Sequence, residues 1–232
     1  MQIAKPHLDF GLYTNRLEEQ LAFWQNEVGL PFEELLPVGG GVRQHRHAMN
    51  GSVFKLNHSK EPLPAPSPCG YRRLSIARPG LDAPVERVDP DGNRVRLVPP
   101  GYEGIVGIAI ELGVRDPESF DAFYGGALGF EPVGVHRYRF GDSLICFEYD
   151  PKAARSGGMR APGFRYLTIQ VFDVDATHAR IVERGGEEAY PPRTLGQTAR
   201  ISFVRDPDGN WIEISQRASL TGSLEDQTAA SR

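Results

Sequence analysis

Cysteine is scarce: the 232 residues include only Cys69 and Cys146. These two form neither a CxxC pair nor a cysteine-rich zinc site, so no redox role follows. No run approaches 18 consecutive apolar residues, and the opening MQIAKPHLDF has no long apolar stretch. A membrane-spanning helix and a secretory leader are therefore not expected, and a cytoplasmic protein is. An excess of positive charge is also missing: 26 Lys+Arg stand against 30 Asp+Glu, for a net charge of -4. That balance predicts no nucleic-acid partner and no membrane anchor. A phosphate-binding glycine motif is lacking as well, because Gly39-Gly40-Gly41 reads as a loop with no helix after it. No Ser/His/Asp or Cys/His machinery stands in a local motif.

Turn residues are what the chain has in quantity. With 26 Gly, 19 Pro and 40% hydrophobic residues, it predicts short elements joined by tight turns around a substantial core, and not a helical bundle. The turns also repeat. Asp89 to Asn93 reads DPDGN before the alternating run RVRLV, and Asp206 to Asn210 reads DPDGN again before WIEIS. A related strand precedes each turn, GYRRLSI at 70–76 and GFRYLTI at 163–169. From Tyr71 to Asp89 is 18 positions and from Phe164 to Asp206 is 42, so the earlier copy lacks about 24 residues. In the later copy these hold DVDATHARIVERGG, an amphipathic helix ended by a glycine pair, with His178 expected on its surface. The earlier copy has RPGLDAPVER and predicts a bare crossing.

A second pair of related segments opens each half. FGLY at 10–13 leads into NRLEEQLAFWQNEVGLPF, and VGIAI at 106–110 leads into DPESFDAFYGGALGFEPV. Leu17, Leu21, Trp24 and Val28 recur at helical spacing and should face a sheet. Hairpins follow at roughly 42–57 and 135–149, with Asn50-Gly51 and Gly141-Asp142 as two-residue turns. The expectation is an α+β fold of four βαβββ-like modules, the second shortened, forming two curved mixed-sheet halves. Pairing the first module with the second and the third with the fourth gives an N-terminal half at 5–98 and a C-terminal half at 103–216, with a frayed tail at 217–232. Lys60 to Gly70, KEPLPAPSPCG, reads as an extended linker.

This arrangement resembles the vicinal oxygen chelate superfamily, the glyoxalase, bleomycin-resistance and extradiol-dioxygenase group. The resemblance rests on FVRDPDGNWIEI at 203–214 and on AFWQNEVGL and AFYGGALGF, and it covers about residues 5–216. It implies curved sheets around a cavity that commonly holds a divalent metal. Such ligands usually come from the first strand of each module, as His or Gln, and from the last strand, as Glu. Glu213 falls on the terminal-strand carboxylate, while Tyr166 stands at the first-strand position of the fourth module. The third module offers Gly107 or Ala109 there, and Cys146 where a carboxylate is expected, with Glu148 two residues on. In the first half the corresponding positions are Asp9, Lys55, Arg73 and Arg96, a charge substitution that suits a buried ion-pair network or an anion site and not a metal. His47 shares a strand face with His45 and is a lesser metal candidate, with His7 and His58 behind it.

Two functional readings follow, and a third stays open. One is an enzyme of the superfamily acting on a small, partly apolar molecule, with Glu213, Glu148 and Tyr166 as acid–base and hydrogen-bonding groups and a divalent metal where a ligand set assembles. The other is a non-catalytic binding or resistance-type module that sequesters such a molecule against Trp24, Trp211, Tyr166 and Phe203. A structural domain with closed cavities is the third, since fold does not imply chemistry. A monomer or a homodimer suits any of them.

Overall fold

The computed structural model describes residues 1–222 and residue 224. The first module runs β1 (Asp9–Thr14), α1 (Leu17–Leu21), β2 (Phe32–Gly39), β3 (Val42–Met49) and β4 (Ser52–Ser59). The second has strands alone, β5 (Tyr71–Ala77), β6 (Val85–Val88) and β7 (Arg94–Val98), and so lacks its helix as expected. The third comprises β8 (Ile108–Val114), α2 (Pro117–Asp121), β9 (Glu131–Gly134), β10 (Arg137–Phe140) and β11 (Ser143–Tyr149). The fourth has β12 (Gly163–Gln170), α3 (Val174–Glu183), β13 (Glu187–Leu195), β14 (Ala199–Arg205) and β15 (Trp211–Arg217), followed by the helical turn α4 (Ala218–Thr221). No helix is long and apolar enough to cross a membrane among the described residues.

The duplication extends to helix endings. Both α1 and α2 widen into a π turn, Ala22–Glu27 and Ala122–Ala127. The Val28 and Leu128 amides donate to the carbonyls of Phe23 and Phe123. Trp24, Tyr124, Phe120 and Val28 are buried from these helices, with Leu17 and Leu21 packed partly against the same core. In α3, Asp173 caps the Ala176 amide at 2.9 Å. His178 is buried there and not on the surface, because its Nε2 lies 2.7 Å from Glu188 of the neighbouring strand.

Strand pairing overturns the expected partnership of modules. The eight-stranded sheet has the order β13-β14-β15-β12-β1-β4-β3-β2, which unites the fourth module with the first. The seven-stranded sheet, β6-β7-β5-β8-β11-β10-β9, unites the second with the third. The junctions are antiparallel, Gly11 opposite Tyr166 in one sheet and Leu74 opposite Ile110 in the other. Linker length is the physical reason. The short link 99–107 keeps modules two and three in one sheet, whereas Lys60 to Gly70, at roughly 3.1 Å per residue when extended, reaches some way across to the other. This linker meets the one at 150–162: the Gly157 amide donates to Pro68 O at 3.0 Å, and the Arg165 guanidinium donates to the carbonyls of Ser67, Ala161 and Pro162.

The two DPDGN turns tie the sheets together. Asp89 accepts from the Asp91 and Asn93 amides and Asp206 from those of Asp208 and Asn210, with Gly92 and Gly209 at φ 87° and 79°. Each asparagine then reaches into the other sheet. Asn93 accepts from the Phe164 amide at 2.9 Å and Asn210 from the Gly70 amide at 2.8 Å. Each turn also docks on a helix region, Asp89 receiving Gln20 and Asp206 receiving Tyr124.

Period-two alternation divides every central strand between two faces. Phe10, Leu12, Phe54, Leu56, Leu167, Ile169, Ile212 and Ile214 share one core with Leu74, Ile76, Val95, Ile108 and Ile110 of the other sheet. Their neighbours in sequence line the opposite face. Arg217, expected to begin the tail, ends β15 and binds Glu34 at 2.6 Å. Ala218–Thr221, expected in the same tail, form α4, while residue 223 and residues 225–232 lie outside the described residues.

Candidate functional site

The opposite face of the eight-stranded sheet carries the candidate site, because the pleat puts Asp9, Gly11 and Tyr13 beside Lys55 and Asn57 from β4. Tyr166, Thr168 and Gln170 from β12 and Trp211, Glu213 and Ser215 from β15 share that face. Its aromatic part clusters Tyr13, Tyr166, Phe203 and Trp211 with Val42, Ala199 and Ile201, and Leu63 and Met159 from the two linkers pack against it. Ala199, Ile201 and Phe203 each keep 8% exposure while Ile212 and Ile214 keep none, so solvent reaches this face and not the other.

At its centre Lys55 Nζ donates to Glu213 Oε2 at 2.6 Å and to Thr168 Oγ1 at 2.7 Å, and Thr168 donates in turn to Glu213 Oε2 at 2.7 Å. The lysine side chain is 3% exposed and the glutamate side chain 12%. Burial lowers the Lys55 pKa, against the pull of Glu213 and Asp9. Asp9, one pleat away, takes Lys5 Nζ at 2.7 Å, the Val53 amide at 2.8 Å and Gln170 at 3.0 Å. Burial would raise its pKa, but the charges of Lys55 and Lys5 outweigh that and hold it below the usual value. Tyr166 Oη accepts from Asn57 at 3.0 Å and Gln44 at 3.3 Å, and its pKa is pushed well up by burial and by Glu213. Glu34 at the edge receives both Arg46, at 2.9 Å, and Arg217.

Gly11 makes room for this arrangement. A Cβ there would lie 2.5 Å from Cε1 and Cζ of Tyr166, so only glycine lets the ring cross over β1.

The structure does not bring together all the residues singled out from sequence. Glu213 and Tyr166 share the site, but Glu148 lies on β11 of the seven-stranded sheet and is exposed. Asp9 and Lys55 are likewise separated from Arg73 and Arg96, which sit on the second sheet. There Arg73 pairs with Glu111 at 2.6 Å and Glu86 at 3.3 Å, while Arg96 pairs with Glu103 at 2.7 Å and donates to Ser75 at 3.2 Å. His47 points to the other face of β3, where Gln25 lies 3.0 Å from its Nε2 and Phe32 meets its ring edge-on. Burial lowers its pKa to about 4. The cause of these corrections is the pairing of modules one with four, which no local pattern announces.

Thr168, Asn57, Gln44 and Glu111 do not stand out in the sequence. Glu111 could be found by aligning α1 with α2, because that offset places it at the position of Gly11, in register with Cys146 as Gly11 is with Lys55. The seven-stranded sheet therefore repeats the site with its charges exchanged: Arg96 stands where Glu213 does, and Ser75 where Thr168 does.

Residues 107–214 match the family model of the Glyoxalase/Bleomycin resistance protein/Dioxygenase superfamily. That match covers a little under half of the chain, and over that stretch the chain is similar to the superfamily. Over 65 residues, 27% of its length, it is 40% identical to a probable lactoylglutathione lyase of Vibrio parahaemolyticus. That match spans about half of the relative, 46% of its length. Glyoxalase I from Zea mays superposes with a TM-score of 0.70 at 15% identity, over 90% of this chain and 92% of the other. A putative dioxygenase from Bacillus subtilis superposes with a TM-score of 0.66 at 14% identity, over 94% and 85%. Both likenesses are of fold.

The superfamily resemblance implies a divalent ion between the first and last strands of paired modules. The residues at those places are Asp9, Lys55, Tyr166 and Glu213. One is a cation, one is a phenol whose pKa burial pushes well up, and each carboxylate already holds an ammonium, Asp9 that of Lys5 at 2.7 Å and Glu213 that of Lys55 at 2.6 Å. Hard divalent ions need several converging anionic or neutral oxygens, so this donor set does not fit one.

Proposed function

We propose that this chain binds a small, partly apolar organic molecule against the aromatic face of the eight-stranded sheet, without a chelated divalent ion. The Lys55–Glu213 contact supports this reading: an ammonium takes the carboxylate that a metal would need, yet the polar floor and aromatic wall remain. Trp211 reports on this face, since its ring stacks with Tyr190 and its Nε1 donates to Gly157 O, whereas Trp24 lies in the core. Protein purified without chelator should carry far less than one divalent ion per chain, and small aromatic compounds should change Trp211 emission, the change vanishing in Trp211→Phe. Near-stoichiometric metal that departs in Glu213→Ala would defeat the proposal.

A second reading makes the same pocket an enzyme, with Glu213 moving a proton. Its support is that Glu213 Oε1 makes no hydrogen bond among the described residues, and that the Vibrio parahaemolyticus relative is named a lyase. Lys55 would then steady negative charge developing on a substrate oxygen. Deuterium uptake from D2O at the carbon beside a carbonyl, abolished in Glu213→Gln, tests it; no uptake above the rate without protein rejects it.

A further inference from the structure

We infer that the ligand of this pocket presents a neutral hydroxyl on a flat ring, with the hydroxyl seated between Lys55 Nζ and Glu213 Oε1. This rests on the binding role proposed above. An ammonium has three N–H donors, and Lys55 uses two, on Glu213 Oε2 and Thr168 Oγ1. Among the described residues no third oxygen or nitrogen accepts from it; the face of the Tyr166 ring lies 5.5 Å from Nζ, and the lysine side chain is 3% exposed. Glu213 is half-used in the same way. Its Oε2 accepts from both Lys55 and Thr168, and its Oε1 from no group among the described residues. An ammonium with a hydrogen to spare and a carboxylate oxygen within reach of solvent thus lie side by side on the polar floor, and a ligand group that meets both replaces water there.

Chemistry separates the groups that could fill this gap. A hydroxyl accepts from Lys55 and donates to Glu213, completing both. A ketone or an ether completes only Lys55. A carboxylate does the same and sets a second negative charge against Glu213. The ring follows from what stands around the floor. Tyr13 and Tyr166 have centroids 6.3 Å apart, Tyr166 and Phe203 6.2 Å, and Phe203 and Trp211 6.2 Å, a continuous aromatic wall on the face that carries Lys55.

Isothermal titration of the full chain with 4-ethylphenol, 4-ethylanisole, 4-ethylbenzoate and ethylbenzene tests this. The phenol should bind about tenfold or more tightly than its methyl ether, as expected for a hydrogen bond to a charged group, and more tightly than the benzoate. Glu213→Gln removes the charged acceptor and should bring phenol and ether within about threefold. Equal affinity for phenol and ether, or tighter binding of the benzoate, overturns the inference and leaves the binding role standing. Failure of all four to bind overturns the binding role and the inference with it.

Discussion

Replacing Lys55 by methionine should destabilise the protein severely, and the structure says by how much. The lysine is 3% exposed and among the described residues its ion-pair partner is Glu213, 2.6 Å away with 12% of its side chain accessible. Methionine preserves much of the stem volume, so the loss is electrostatic: Glu213 keeps Thr168 but becomes a poorly solvated carboxylate with no counter-charge. Removing one member of a buried pair costs about 3–5 kcal/mol. With a urea dependence of about 2–3 kcal/mol per M, the unfolding midpoint followed by circular dichroism should fall by about 1–2.5 M. Asp9 keeps Lys5 at 2.7 Å but also loses the nearby charge of Lys55, which adds to the loss. The double variant Lys55→Met, Glu213→Leu removes both charges and should be more stable than Lys55→Met alone, since an apolar pair tolerates burial better than half an ion pair. If Lys55→Met costs less than about 1 kcal/mol, the magnitude of a solvated surface pair, then Lys55 and Glu213 are not coupled as described.

Three other outcomes follow from particular contacts. Gly11→Ala forces a methyl into the Tyr166 ring and should cost about 1–3 kcal/mol, with Tyr166→Leu recovering part of it; equal losses in the two backgrounds would refute the clash. Asn210→Ala removes the nearer of the two acceptors of the Gly70 amide, leaving Ser156 Oγ at 3.0 Å, and should speed hydrogen exchange there at least as much as at the core strands; unchanged Gly70 exchange would show the Asn210 clamp to be irrelevant. His47 has its pKa lowered from 6.5 to about 4, so the folded state binds fewer protons than the unfolded one between these values. Its contribution is therefore complete above pH 6.5 and is lost as pH falls toward 4, by about 1–3 kcal/mol, and urea midpoints at pH 7.5 and 4.5 should converge in His47→Leu. A pH dependence unaltered by that change would refute the assignment.

How much of this was legible depended on range along the chain. DPDGN at 89 and 206, with the strand before each and the helices at 17 and 117, carries local geometry: an aspartate that caps amides two and four residues on, a glycine with positive φ, alternation that sorts a strand's faces. Those interactions span a few residues, so the modules and the missing helix of the second could be read from the residues themselves. The assembly of those modules could not. Glu148 looked like a partner for Glu213 because both follow similar turns and hairpins, and Arg73 and Arg96 looked like neighbours of Lys55 because they share its half of the chain.

The sequence by itself determined that there would be four related sheet modules, which residues alternate toward a polar face, and that a lysine and two arginines stand where neutral or acidic ligands would serve a metal. Only the tertiary structure decided that the fourth module closes on the first, bringing Lys55 to Glu213 across 158 positions and leaving Arg73 to Glu111 on a separate sheet. The physical reason is that edge strands pair wherever the linkers allow and the apolar faces can be buried. With the two longer linkers crossing between sheets and zipped against each other, burial of Phe10, Phe164 and Tyr71 in one shared core settles the partners.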